Sequence, residues 1–521
     1  MGPEPPSWST PAPPRHAFLV LFVLFLGTTT ASALWHPLYS APDEPTHVIR
    51  AAAVARGQVR YAETTPVAGL ESSVVRVPRV FADSIHTPQC YIFRAGIPAS
   101  CATLPTGGEE VQGLTYAGRY PPLYYLAVGL PTLAWESNRA VYAMRIVNAA
   151  ICSVFLAQAI VIALGLRRRL LPLGIASAVT PMVLYLAGVV NPNGPEIAAA
   201  ICLWTALAAV GVTRNLSWRG PLLWVALSGV ALASTRPSGP LWVGTAVAVT
   251  VVSGLLSPVR PLLRSRPVRA AAAAVGVASS FTIGWVASLG GVGLTGAPLD
   301  DPERAWILSL GMTGQRLRHM VGFYGWLDAP APGSVYLAWG VVAAGIVALG
   351  LLASPSRRHA LAIALLVVAV VVVAIPFEVL EAKRIGLFWQ GRYTLPIAVG
   401  VPILATVAPT DRLGALAASW VRAATGLVLA SAHLAAVVWG IRRFAVGITG
   451  PVMFFSDAAW TPPLPHWLLA AVFTAGVAAI GAYLARSGAG PPWPHRRPGG
   501  AAAGDGPAPL VPGELTPAER R

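Results

Sequence analysis

Leu123-Tyr124-Tyr125-Leu126-Ala127-Val128-Gly129-Leu130-Pro131-Thr132-Leu133-Ala134-Trp135 decides how the chain is threaded. The run is apolar, but a membrane span needs roughly 20 residues. Its two tyrosines and Trp135 suit the headgroup level. It reads as a helix lying in the interface. The next apolar run, Ala140–Leu166, then goes from outside to inside and ends at Arg167-Arg168-Arg169, on the side where positive loops belong. Were Leu123–Trp135 a full span, those arginines would lie outside.

The 521 residues are 55% hydrophobic and 11% charged, with a mean hydropathy of +0.62. A soluble domain carries about 25% charged residues, so most of this surface faces lipid. The fold class is an all-α polytopic membrane protein. The net charge of +16 comes almost wholly from arginines, many in short loops between apolar runs. The positive-inside rule accounts for them there, so nucleic acid is excluded as a partner. No Walker loop, GxSxG, HExxH or dinucleotide fingerprint occurs, and there is no room for a soluble nucleotide-binding domain.

Worked outward in both directions, about twelve spans result, with both termini cytoplasmic. Residues 1–15 are a Pro-rich disordered tail. Ala17–Trp35 is the first span, a retained anchor although Ala31-Ser32-Ala33 imitates a cleavage site. Residues 36–139 form a large first extracytoplasmic loop. Spans follow at Ala140–Leu166, Leu170–Val190, to Val212, Leu222–Ala233, Leu241–Leu256 and Ala270–Leu289, the pair flanking Arg236 also reading as a re-entrant hairpin. Residues 291–333 form a second external loop. Val335–Leu352, Leu361–Ile375, Leu395–Val407, Leu416–Trp439 and Trp467–Leu484 complete the set, bounded by loops carrying Glu378, Glu381, Lys383 and Arg384, then Asp411-Arg412, then Arg442-Arg443. Residues 16–485 are thus one transmembrane domain, and 486–521 a second disordered cytoplasmic tail. In this threading the arginine-only loops fall inside, and the loops mixing acids, histidine, arginine and aromatics fall outside.

Those external loops hold the candidate chemistry. Asp43 and Glu44, in Pro42-Asp43-Glu44-Pro45-Thr46-His47, follow the first span, where charge is costly unless used. A carboxylate there can take a proton from an attacking hydroxyl. The same pair also fits a helix start. His47 and Arg50 share a helical face beyond it. Glu196, in Asn191-Pro192-Asn193-Gly194-Pro195-Glu196, is a second external acid or a first-turn acid of the next span. Arg119 and Tyr120 precede a rigid Pro121-Pro122 entry. Arg392 and Tyr393, in Gln390-Gly391-Arg392-Tyr393, sit at the outer mouth of a late span, where Lys383 and Arg384 add positive charge on the unexpected side. Arg316, Arg318 and His319 add more. These suit an anionic headgroup. Trp326 and Asp328 form an aromatic–acid pair of the kind that platforms a sugar. Cys90 and Cys101 share one polar loop and pair if that loop is outside the cytoplasm. No metal-ligand spacing appears; a divalent metal is compatible with the two acids and not required by them.

With these residues in hand, the chain resembles a bacterial family of multi-spanning membrane proteins of unassigned function. The likeness is carried by PDEPTH (42–47), YPPLYYL (120–126), GWLDAP (325–330) and QGRYTLP (390–396), in that order from Trp35 to Pro396. That family is itself similar to the GT-C superfamily of polyprenol-dependent glycosyltransferases. The resemblance implies a GT-C-like fold in which Asp43 or Glu44 is the essential acid of the first external loop and Glu196 the second. This sequence departs at the second, where related members show Ser-x-Asp. It also implies the reaction: inverting transfer of a sugar from a polyprenyl-phosphate carrier to an envelope glycan or glycoprotein outside the cytoplasm. Asp43 would be the base with Glu44 in support, and Arg392, Arg119 and Arg50 would meet the phosphate. The alternatives from the residues alone are a transporter or flippase of lipid-linked saccharides and a non-catalytic envelope-assembly protein.

Overall fold

A computed structural model describes residues 16–61, 63–67, 70–166, 168, 170–289, 298–408 and 415–487. Helix α1 (Ala17–Trp35) leads to α2 (Glu44–Ala55) and to strands β1 (Thr64–Val67), β2 (Leu70–Pro78) and β3 (Glu110–Thr115). The central strand β2 pairs antiparallel with both neighbours, Thr64 opposite Ser73 and Val77 opposite Val111. The short α3 (Pro122–Gly129) then packs on α2, and a Cβ at Gly129 would meet the Ala51 carbonyl oxygen at 2.2 Å. Leu123, Leu126, Leu130, Leu133 and Trp135 are each about half exposed, while Tyr124, Tyr125 and Val128 are buried. The deciding stretch is thus two short helical pieces, Pro122–Gly129 and Pro131–Ala134, with an apolar face turned outward.

The bundle continues with α4 (Asn138–Gly165), α5 (Leu171–Ala178), α6 (Pro181–Ala187), α7 (Asn193–Thr213), α8 (Pro221–Thr235), α9 (Gly239–Val252) and α10 (Arg266–Ser288). After it come α11 (Pro302–Gly311), α12 (Thr313–Val321) and a two-residue hairpin, β4 (Phe323–Tyr324) with β5 (Ala329–Pro330). The last helices are α13 (Gly333–Leu352), α14 (Arg357–Val372), α15 (Ala374–Ile385), α16 (Gly391–Ala398), α17 (Gly400–Thr406), α18 (Ala415–Val446) and α19 (His466–Ser487). Among the described residues, eight helices are long and apolar enough to cross a membrane. Helix α7 is the central one: 89% of its apolar window is buried. Trp204 on α7 donates to the Pro396 carbonyl at 3.0 Å, tying the core to α16.

The other four expected passages are short or broken. Leu170–Val190 is divided into α5 and α6, where Thr180 caps a new helix opened by Pro181. Leu395–Val407 is divided into α16 and α17, with Pro396 inside the first piece. Helices α8 and α9 have 15 and 14 residues, too few for a perpendicular crossing. Two expected loops are corrected. Glu378, Glu381, Lys383 and Arg384 lie on helix, because the apolar span runs on from Arg357 to Arg384. Arg442 and Arg443 lie on the last turns of α18. The two tails expected to be disordered, Arg167, Arg169, Asp411-Arg412 and the start of the second external loop lie outside the described residues, except that α19 reaches Ser487.

One buried ion pair holds the first third of the chain together. Arg145, inside α4, grips Glu44 through Nε–Oε1 at 2.7 Å and Nη2–Oε2 at 2.6 Å. Its remaining donors reach the carbonyls of Ala33, His36 and Pro37. The Val190 amide completes the Glu44 shell at 3.0 Å. Both side chains are 0% exposed. Removing one partner of such a pair leaves a bare buried charge. Arg145→Met should therefore cost about 3–5 kcal/mol, read as a lower unfolding midpoint of purified protein in detergent. Glu44→Leu combined with Arg145→Met should cost less than the sum of the single changes.

Candidate functional site

The turn between α1 and α2 sends its two acids in opposite directions. Asp43 caps α2 from a left-handed conformation, φ 66°, which a residue with a Cβ adopts only at a cost of roughly 1–2 kcal/mol. Pro45 then suits the first turn of the helix. This twist turns Glu44 inward to Arg145 and leaves Asp43 facing a recess, its side chain 23% exposed. There the Tyr116 hydroxyl donates to Oδ1 and Arg392 Nη2 donates to Oδ2.

Arg392 reaches Asp43 because α16 lies directly against α12. A Cβ at Gly391 would meet the Arg316 carbonyl oxygen at 2.1 Å and the His319 Cβ at 2.7 Å, so only glycine permits that approach. The Arg392 guanidinium is 2% exposed, and its Nε and Nη1 have no partner among the described residues. Beside it, His319 is buried, and among the described residues neither of its ring nitrogens has a partner.

A second arginine–carboxylate pair stands across the Tyr393 ring. Arg236, at the tip of the α8–α9 hairpin, contacts Glu196 at 3.1 Å. Glu196 also accepts from Asn193 and Ser238 at 3.1 Å each and is fully buried. The Arg236 guanidinium lies 4.6 Å from the centre of the Tyr393 ring and Arg392 lies 5.3 Å from it. Arg236 also covers Tyr120 at 5.8 Å, and its Nε has no partner. His47 completes the wall: its Nδ1 is 2.9 Å from the Tyr125 hydroxyl and its ring packs on Tyr120.

Of the sequence candidates, Asp43, His47, Tyr120, Arg392 and Tyr393 line this recess, with Glu196 behind Arg236. The others have different surroundings. Glu44 is enclosed with Arg145. Arg50 is fully buried against the Tyr120 and Val59 carbonyls and the Tyr61 hydroxyl. Arg119 pairs with Glu71 of β2 at 2.7 Å. Asp328 pairs with Arg443, which also donates to the carbonyls of Tyr91 and Ile97 at 2.7 Å. These carbonyls belong to the loop closed by the Cys90–Cys101 disulfide. Trp326 donates to the Tyr39 carbonyl at 3.4 Å and meets Phe93 edge-on, so it joins that loop to the Asp43 turn. Tyr116, Arg145 and Arg236 are the contributors that motif reading missed. An arginine inside an apolar run is itself a signal, and it marks Arg145; Arg236 sits in the short turn between two apolar runs, and nothing in the pattern marks Tyr116.

Burial raises the Asp43 carboxyl, but the charges around it, above all Arg392, outweigh burial and hold it below the usual carboxylate range. Burial drives His47 down to about 3 against the pull of Asp43, and His319 to about 4 with Arg392 and Arg316 adding to the fall. Near neutrality the recess therefore presents the Asp43 carboxylate, two guanidiniums, one of them backed by Glu196, and two neutral imidazoles. Among the described residues, no three His, Cys, Asp or Glu side chains cluster closely enough to hold a metal. The arrangement can accept a proton at Asp43 and bind an anion at Arg392.

The profile of a family described as predicted membrane protein (DUF2142) matches residues 24–401. The chain belongs to this family. With its eight membrane-length helices it is a multi-pass membrane protein. No curated protein matches the sequence. Two solved structures of ArnT from Cupriavidus metallidurans are similar in overall course. The one bound to undecaprenyl phosphate is 15% identical, covers 91% of this chain and 78% of its own, and has a TM-score of 0.41. The apo form is 16% identical, covers 91% and 77%, and has a TM-score of 0.43.

The lowered histidines give a pH test. An unfolded histidine binds its proton near pH 6.5, whereas folded His47 does so near 3. The unfolded state then binds more protons, so stability falls as pH drops from about 6.5 towards 3. The unfolding midpoint in detergent should decline steadily across pH 6.5–4, and His47→Gln should flatten that slope. An unchanged slope would show that His47 titrates normally in the fold.

Proposed function

We propose that this protein transfers a sugar from a polyprenyl-phosphate carrier to an envelope glycan or glycoprotein on the extracytoplasmic side, with inversion at the anomeric carbon. The observation that carries the reading is the Asp43–Arg392 pair: a partly exposed carboxylate bonded to a buried guanidinium that keeps two nitrogens unpartnered. The motif resemblance supports it, and so does the threading that puts both termini in the cytoplasm and this recess outside.

Asp43 takes the proton of the acceptor hydroxyl as its oxygen forms a bond to the anomeric carbon. The bond from that carbon to the phosphate oxygen breaks, and polyprenyl phosphate leaves with the electron pair. Arg392 binds the phosphate through its unpartnered donors and stabilises the charge that grows on it. An anion there also loosens the hold of Arg392 on Asp43, which strengthens the base when donor is bound. Arg236, fixed by Glu196, places a second positive charge beside the first. His47 and His319 stay neutral and offer hydrogen bonds without adding charge. Glu44 acts through the fold, by holding the turn that aims Asp43.

The test is transfer of labelled sugar from an undecaprenyl-phosphate-linked donor by purified protein in detergent. Asp43→Asn should lower the rate about 10²–10⁴-fold, the span of general-base effects. Arg392→Gln should weaken both donor binding and rate. Arg236→Gln should raise the donor concentration needed for half-maximal rate more than it lowers the limiting rate. Full transfer by both Asp43→Asn and Arg392→Gln would defeat the proposal and favour a carrier of lipid-linked saccharide.

A further inference from the structure

A pocket at the other end of the helix bundle is independent of that chemistry. It is a half-open groove between α1, α4, α5, α18 and α19, with about 710 Å³ of empty space counting the part open to the surroundings. Arg443 marks the Asp43 end of α18. Arg422, 21 residues earlier, lines the pocket about 31 Å away along the helix. The pocket's outer wall, α18 with α19, lies beyond the residues that the family profile matches.

Among the described residues the lining is apolar except for Arg422 and His433 and contains no carboxylate. An arginine near the end of a span usually carries its head out to water. Arg422 is instead 4% exposed, turned into the bundle. Its planar head has five N–H donors, so a bond within the fold still leaves donors for a phosphate. His433 lies at the inner end, 6% exposed against Trp339, and its Nδ1 has no partner. Two glycines keep the groove empty: a Cβ at Gly426 or Gly481 would meet nothing within 4 Å.

We propose that this pocket binds an anionic glycerophospholipid, with its phosphate at Arg422 and an acyl chain running along the groove towards His433. The charge of the lining asks for one anionic group ahead of an apolar body. The length selects the lipid class. From Arg422 to His433 the helix rises about 16 Å, close to half of the roughly 30 Å hydrocarbon core. That depth fits a fatty acyl chain of one leaflet, not the much longer chain of a polyprenyl phosphate.

The experiment is native mass spectrometry of the full-length protein, released from mild detergent after incubation with phosphatidylglycerol or with phosphatidylcholine of the same chains. Wild type should retain one phosphatidylglycerol per chain and little phosphatidylcholine. Arg422→Gln should bind phosphatidylglycerol about tenfold more weakly, as the loss of a charged hydrogen bond implies. Gly426→Leu, which fills the groove and leaves every charge in place, should lose the lipid too and decides the case if Arg422→Gln does not purify. Arg392→Gln should retain it, which separates this site from the donor recess whatever that variant does to transfer. Equal retention of the two lipids overturns the proposal, as does undiminished phosphatidylglycerol binding by Gly426→Leu. Displacement of phosphatidylglycerol by equimolar undecaprenyl phosphate overturns it by naming another occupant.

Discussion

The buried contact between Glu44 and Arg145 is the constraint on which the rest depends. It joins the end of α1, the start of α2, the early turns of α4 and the approach to α7 at a single point. Two charges without water are tolerable only if every donor and acceptor is met. Here three backbone carbonyls and one amide fill most of what the pair leaves open. The path of the turn follows from this. With Glu44 fixed inward, the preceding residue must point the other way, and the left-handed backbone at Asp43 is how the chain achieves it.

The recess is organised by the same logic on a looser scale. Each of its arginines is matched with one carboxylate, so the resting site is close to neutral. Each also keeps donors that the fold does not use. Neutral imidazoles fill the space that a further cation would make repulsive. Pairing spares the fold a bare buried charge, and the unused donors suit an anion. The precision of the recess comes from close backbone approach: Gly391 against Arg316 and His319 sets the reach of Arg392.

Much of this was legible in the sequence because membranes impose strong rules. Length and hydropathy give the eight long helices, the short Leu123–Trp135 run gives the surface helical pieces, and mixed charge in loops points to the residues of the recess. Asp43, Arg392 and Tyr393 stand out for that reason. What did not read through was pairing. Nothing local says that Arg145 will take Glu44 rather than Asp43, or that Arg236 will meet Glu196, because those contacts join residues 101 and 40 positions apart. Arg50 and Arg119 looked like headgroup ligands because they are arginines near an interface; their partners, the Tyr120 carbonyl and Glu71, are set by the fold of the sheet. Broken helices were hidden too, since α5 with α6 reads as one continuous apolar run.

The separation in sequence of the two halves of the recess has a consequence for how the protein is made. Asp43 and Arg392 lie 349 residues apart, which at roughly 5–20 residues per second amounts to about 20–70 s of synthesis. Arg443, which gathers the carbonyls of the disulfide loop, arrives later still. Throughout that interval the nascent chain carries an uncovered Asp43 and an unanchored loop at the membrane surface. The recess is therefore among the last features to form. A ribosome that stops early leaves an inserted protein with most of its spans and none of its assembled chemistry.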